Sequence, residues 1–147
     1  MAQRHDRTAA RRAALQVLYS AEITETPATQ IIKTGIAPDE SGTLSAYAVG
    51  LVEGVESNTA EIDSLLNEAS ENWAIGRMPI VDRALLRIAV YEMAHVDAVP
   101  VSVAINEAVE LAKDYGAEDD SHRFVNGVLG SIAKKLTGES YSALGDE

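Results

Sequence analysis

The sequence of 147 residues contains no cysteine, a single phenylalanine and a single tryptophan. Without cysteine the chain has no disulfide scaffold, thiol nucleophile, iron–sulfur site or zinc knuckle of the cysteine type. No apolar run approaches the roughly 18–20 residues that span a bilayer, and no apolar segment follows the basic N-terminus as it would in a signal peptide. These absences predict a cytoplasmic protein with no membrane association.

The sequence pattern also lacks a catalytic centre. None of the histidines has a second histidine three or four residues away, the spacing at which one helix supplies two metal ligands; they stand at His5, His95 and His122. Asp120, Ser121 and His122 are consecutive, which cannot align a nucleophile, a base and an acid. No glycine loop of the phosphate-binding type occurs. We therefore expect neither an enzyme nor a bound metal or cofactor.

The apolar residues that are present recur at helical spacing. Alanine, leucine and glutamate dominate the periodic segments, and no strand-like alternation is found. The pattern predicts an all-α fold of six or seven helices, over about residues 8–21, 28–33, 41–56, 58–73, 80–96, 100–116 and 121–138. The segment 80–96 is apolar almost all round, which is typical of the centre of a bundle. We expect one domain over residues 1–138 and a flexible tail over 139–147.

The sequence predicts specific structural roles for several residues at helix ends or inside helices. Ser41 is a candidate N-cap for the third helix, and Asn58, followed by a glutamate three residues later, resembles a capping box for the fourth. Gly116 is expected to end the sixth helix in the left-handed conformation. Gly50 and Gly54, four apart on the third predicted helix, are expected to let a neighbouring helix approach closely. Gly127 and Gly130, inside the last predicted helix, are expected to have a packing role.

Charge is distributed unevenly along the chain, whose net charge is −11. Residues 1–20 hold four arginines and one acid, a balance of +3, whereas the other 127 residues hold 8 basic and 22 acidic side chains. A basic arm on an acidic body suggests two partners of opposite charge.

The basic arm is a candidate for RNA binding. Arg4, Arg7 and Arg11 recur at i, i+3 and i+7, so they share one face if the first helix extends back to Arg4, with Arg12 about 100° away. The planar guanidinium contacts phosphate bidentately and stacks on bases. The alternative is a solvated helix end that aids solubility, and the charge pattern alone favours RNA only slightly.

Further candidates lie outside the arm. Phe124, next to Arg123, is either a stacking platform for a base or a core residue, and the pattern alone favours the core. Tyr19 is either a core residue or the rim of a partner site. The row Arg83, Arg87, Tyr91 and His95 on the fifth predicted helix faces either solvent or a partner, and Glu92 beside it is expected to be buried.

Four stretches in register carry a family resemblance. They are RRAALQVLY at 11–19, VDRALLRIAVYE at 81–92, VAINEAVELAK at 103–113 and FVNGVL at 124–129. Their order and spacing resemble the NusB family of bacterial transcription antitermination factors over essentially residues 4–136.

This resemblance implies an all-α fold of two small helical bundles packed together. It also implies binding of boxA RNA in ribosomal RNA leader transcripts, jointly with a small-subunit ribosomal protein that acts as NusE, in a complex with other Nus factors on RNA polymerase. The matched RNA-binding residues are Arg7, Arg11 and Arg12 of the arginine arm, to which helical spacing adds Arg4. A second matched patch is Arg123 and Phe124, with Asp119 or Asp120 beside it. More loosely, Tyr19, Asp82 and Arg83 match the side that faces NusE.

The resemblance leaves three other interpretations of the chain open. NusB-like domains also occur fused to RNA methyltransferases, but this sequence shows no methyl-donor site and ends after the domain, so we expect the free factor. A helical adaptor with an incidental arginine arm is a second alternative, and a small enzyme is a third. The free protein could also form a homodimer that masks its binding faces.

Overall fold

The computed structural model describes residues 2–34, 44–70 and 74–138, with side chains from Asp6 onward. Within these residues every regular element is helical, and no strand occurs, which confirms the predicted all-α fold. The helices are α1 (Ala2–Thr24), α2 (Ala28–Lys33), α3 (Ala46–Ser57), α4 (Thr59–Ala69), α5 (Ile80–His95), α6 (Val101–Tyr115) and α7 (Ser121–Thr137), with a 3₁₀ turn at Ile75–Arg77. The chain divides into two compact units, Met1–Asn58 and Thr59–Glu147.

In the first unit α1, α2 and α3 pack against one another. Small and branched apolar side chains at helical spacing form its core; they include Ala10, Ala14, Val17, Ala48, Leu51, Val52 and Val55. The side chain of Glu56, on α3, accepts a hydrogen bond from the backbone N–H of Ala28 at 2.8 Å. A carboxylate at this place satisfies a donor that α2 leaves open at its N-terminus and complements the helix dipole.

One of the predicted helix boundaries in this part of the chain was wrong, and the residue at a second boundary has a role that was not predicted. Ser45, rather than Ser41, caps α3, and its side chain accepts from the N–H of Ala48 at 3.1 Å; Ser41 lies outside the described residues. Asn58 stands between α3 and α4, and α4 begins at the next residue, as predicted; the side-chain amide of Asn58, however, donates to the carbonyl of Gly54 at 2.8 Å and so closes α3. Asparagine can serve either end of a helix, and the sequence pattern did not distinguish them.

In the second unit α5 packs against α4, α6 and α7. This confirms the prediction that the segment apolar almost all round is a central helix. Its buried residues are Asp82, Ala84, Leu85, Leu86, Ile88, Ala89, Val90 and Glu92, the last of which was expected to be buried.

The row of polar residues on α5 lies along α4. Arg87 donates twice to the carboxylate of Asp63, with Nε–Oδ1 at 2.9 Å and Nη2–Oδ2 at 3.0 Å. His95 lies 2.9 Å from the carboxylate of Glu61, and its ring stacks on Tyr91 with ring centres 5.5 Å apart. These contacts join two helices of the same unit, so this part of the row supports packing within the protein.

Glycine ends two helices for different physical reasons. Gly138 follows α7 with φ 81°, in the left-handed region that favours glycine. Gly116 follows α6 with φ −58° and ψ 149°, so the predicted left-handed stop is wrong there. A Cβ at Gly116 would lie 2.5 Å from both the carbonyl oxygen of Ala112 and the Cβ of Ser121. Glycine is required at this position for close packing.

Candidate RNA-binding interface

In the first unit the arginine arm forms part of α1, and Arg7 is held by an aromatic ring. Its guanidinium carbon lies 5.0 Å from the ring centre of Tyr47 on α3, within the range of a cation–π contact. Tyr47 in turn packs against the apolar cluster of Ala10, Ala13 and Ala48. Arg7 is only half-buried, so this packing orients a cation that still reaches the surface.

The other arginines of the arm differ in how far they are buried. Arg11 is 3% exposed, which is not compatible with the predicted role as a surface contact to phosphate. Leu15, one turn further along α1, is also buried, so the buried stripe of α1 is wider than the alanines alone suggest and includes position 11. Arg12 is half-buried. The side chain of Arg4 lies outside the described residues.

In the second unit the first turn of α7 presents the other predicted RNA contacts. Asp120 and Arg123 are exposed, and Phe124 is half-buried. Val125 is fully buried and begins the apolar face of α7, which continues through Val128, Leu129 and Ile132. Phe124 therefore lies at the edge of the core, where part of the residue reaches solvent beside Arg123.

A buried hydrogen-bond cluster holds this turn, and we call it the Asp82 clamp. Asp82, in the first turn of α5, is 2% exposed. Its Oδ1 accepts from the backbone N–H of Ala117 at 3.2 Å, and its Oδ2 accepts from the hydroxyl of Ser121 at 2.9 Å. The Ser121 oxygen also accepts from the N–H of Glu118 at 3.0 Å. The clamp thus ties α5 to the segment that leads into α7.

The three residues assigned to the partner side have different surroundings. Tyr19 is 41% exposed and Ile23, one turn later on α1, is 55% exposed, so they form a small apolar strip at the end of that helix. Asp82 is buried in the clamp, and the expectation that it faces a partner is corrected: both of its carboxylate oxygens already accept hydrogen bonds inside the second unit. Arg83 is half-buried and donates to the carbonyl of Met78.

Over 2–34, 44–70 and 74–138, no group of three or more histidine, cysteine, aspartate or glutamate side chains is arranged to hold a metal ion. None of the described helices combines the length and the apolarity needed to cross a membrane.

The fold and these surfaces define an all-helical protein with two compact units and an exposed arginine beside a half-buried aromatic ring. The family model for the NusB family matches residues 8–134. A relative from Salinispora arenicola, named transcription antitermination protein NusB, is 43% identical over 137 residues, covering 89% of this chain and 97% of the relative. The chain therefore belongs to the NusB family, a family of transcription antitermination proteins.

Solved structures agree with this assignment. The structure of NusB from T. maritima matches with a TM-score of 0.76 and 34% identity, covering 88% of this chain and 91% of that chain. A chain in the structure described as "Crystal Structure of a Plectonemic RNA Supercoil" matches with a TM-score of 0.74 and 28% identity, covering 91% of this chain and 99% of that chain.

Proposed function

We propose that this transcription antitermination protein binds boxA-type single-stranded RNA of ribosomal RNA leader transcripts together with the ribosomal protein that acts as NusE. With other Nus factors, the pair then helps RNA polymerase to resist premature termination. The observation that carries the RNA-binding part is the first turn of α7, where exposed Arg123 stands beside half-buried Phe124. This combination supplies a cation for phosphate and an aromatic edge for a base.

The charge distribution supports the need for a protein partner. The acidic residues that outnumber basic ones after residue 20 would attract a basic ribosomal protein. Four arginine contacts to single-stranded RNA would give a salt slope of only about −3, and the burial of Arg11 lowers the number of available contacts. We therefore expect weak RNA binding by the isolated protein and tighter binding by the heterodimer.

The test compares charge reversal at two positions of one helix. Arg123→Glu is expected to weaken binding of boxA-type RNA by the heterodimer about ten- to a hundredfold, since a charge-assisted hydrogen bond contributes about 1.5–3 kcal/mol. Lys134→Glu is the matched control, because Lys134 is exposed in the last turn of α7 and the charge change is the same. Fluorescence anisotropy with labelled RNA, with and without the ribosomal protein, measures both.

Three results would contradict the proposal. Equal losses in Arg123→Glu and Lys134→Glu would indicate a general charge effect and no specific patch. Tight RNA binding that the ribosomal protein does not improve would contradict the composite interface. Unchanged affinity in Arg123→Glu and in an Arg7→Glu, Arg12→Glu variant would favour the adaptor with an incidental arm. Arg11 is left intact in these variants because its burial would confuse folding with binding.

The proposal also states which part of the chain is needed for binding. We propose that residues 1–138 are sufficient for RNA and partner binding, so that a chain shortened after Gly138 retains both affinities.

Homodimerisation of the free protein would compete with these interactions. Light scattering during partner titration would then detect dissociation of the homodimer.

A further inference from the structure

The turn that precedes α7 is held by a tertiary contact from α5. Asp120 occupies the N-cap position but makes no side-chain capping hydrogen bond. The backbone donors that precede the helix are instead satisfied by the Asp82 clamp: Ala117 by the carboxylate of Asp82, and Glu118 by the hydroxyl of Ser121. An N-cap side chain accepts from amides inside the helix, whereas these two amides lie before it. Because Asp82 on α5 accepts from Ala117 and from Ser121, the order of this turn depends on α5.

Close packing around the clamp leaves little freedom. Ser121 is 2% exposed, and the absent Cβ of Gly116 makes room for it. Two residues after Ser121 comes Arg123, and the backbone N–H groups of Arg123 and Phe124 both donate to the carbonyl of Asp120, at 3.0 and 3.2 Å. The clamp therefore adjoins the helical turn from which these two side chains project.

We propose that Asp82 is a positioning residue for RNA binding: it orders the 116–121 turn and so sets the direction of Arg123 and Phe124. This inference rests on the proposed function for its RNA readout. It assigns to Asp82 a role different from partner contact, because a side chain that is 2% exposed and bonded through both oxygens meets a partner only if the turn opens.

The physical reason lies in the acceptors that the carboxylate supplies. Asp82→Asn keeps the size of the side chain but replaces one acceptor oxygen with an NH₂ donor, so Ala117 N–H and Ser121 O–H can no longer both be accepted as before. Ser121→Ala removes the bridging hydroxyl and leaves the N–H of Glu118 without its partner. Both changes loosen the same turn from opposite sides of the clamp.

The first arm of the test is independent of RNA. Hydrogen exchange of the full chain, followed by NMR, is expected to accelerate at least tenfold at the amides of Ala117 and Glu118 in Asp82→Asn. The amides in the middle of α6 should keep their rates. Asp97→Asn is the matched control, since Asp97 is exposed in the loop after α5 and the same charge is removed. Unchanged exchange at both amides would overturn the clamp.

The second arm measures RNA and partner affinities separately. Asp82→Asn and Ser121→Ala are each expected to weaken RNA binding by the preformed heterodimer about three- to tenfold, with partner affinity unchanged. Combined with Arg123→Ala, Asp82→Asn should cause little further loss, because the side chain that it positions is already gone. Asp97→Asn should alter neither affinity.

Three results of the affinity measurements would overturn the inference. A loss of partner affinity in Asp82→Asn, with RNA binding by the assembled pair intact, would make Asp82 a partner contact and overturn the inference. Fully additive losses with Arg123→Ala would also overturn it. If the wild-type heterodimer bound no boxA-type RNA, the proposed function and the positioning role would both fail. The exchange rates would still show whether the clamp orders the turn.

Discussion

Gly116 shows how one missing side chain supports the geometry next to the candidate interface. Its backbone angles, φ −58° and ψ 149°, are accessible to any residue, so conformational freedom does not explain it. The explanation is steric, because the space of its Cβ is occupied by the oxygen of Ala112 and the side chain of Ser121. A larger residue would push apart the end of α6 and the start of α7.

Gly116→Ala should therefore destabilise the protein by about 1–3 kcal/mol, the usual cost of overpacking a close contact. Urea denaturation measures the free energy of unfolding. Gly127→Ala is the control: Gly127 lies in α7, and a Cβ at this position would meet nothing within 4 Å, so alanine should stabilise the helix by about 0.5–1 kcal/mol. A stabilising effect of Gly116→Ala would contradict the steric explanation.

The same comparison corrects the expected packing role at two of the helical glycines, Gly50 and Gly127. A Cβ at Gly50 or Gly127 would meet nothing within 4 Å, so neither of these positions is where a neighbouring helix approaches closely. Glycine spacing along a helix does not show what lies opposite. That information comes only from the packed neighbours.

At the scale of the element, α7 combines two faces. Its apolar residues pack against α4, α5 and α6, while its first turn carries the candidate RNA contacts. Leu129 is fully buried in this packing, whereas Leu136, seven residues later and so on the same face of the helix, is 41% exposed near the end of α7. The helical period of the sequence shows which face of α7 is apolar. It does not show where along the helix the buried part of that face ends.

Leu129→Ala should lower the free energy of unfolding by about 2–5 kcal/mol, the range for a buried leucine that leaves a cavity. Leu136→Ala should cost well under half of that, because an exposed leucine loses little burial. Thermal and urea denaturation of both variants measure the difference. Similar losses at the two positions would mean that the end of α7 is packed more tightly than the exposure of Leu136 indicates.

At the scale of the whole molecule, the main feature is the contrast between net charge and proposed ligand. A chain of net charge −11 would be repelled by RNA if its charge were spread evenly. The excess of arginine in the first 20 residues and exposed Arg123 supply local exceptions. The acidic remainder suits a basic protein better than it suits RNA.

Association with the proposed partner, a basic ribosomal protein, should therefore depend strongly on salt. We expect the association rate constant to fall about tenfold or more between about 10 mM and about 150 mM salt, since the Debye length shortens from about 30 Å to about 8 Å over that range. Stopped-flow fluorescence measures this rate. A rate constant that does not change with salt would contradict electrostatic steering by the acidic residues.

The sequence by itself determined the all-α fold, the central position of α5 and the family, because these depend on helical periodicity and on motifs spread along the chain. It also indicated the polar residues worth testing. Only the tertiary structure decided how those residues are used. Arg11 is buried because the buried stripe along α1 is wider than the stripe that the alanines alone would form. Asp82 is enclosed because residues distant in sequence bring hydrogen-bond donors to both of its carboxylate oxygens. Burial and hydrogen-bond partners arise from long-range packing, which a local sequence pattern does not contain.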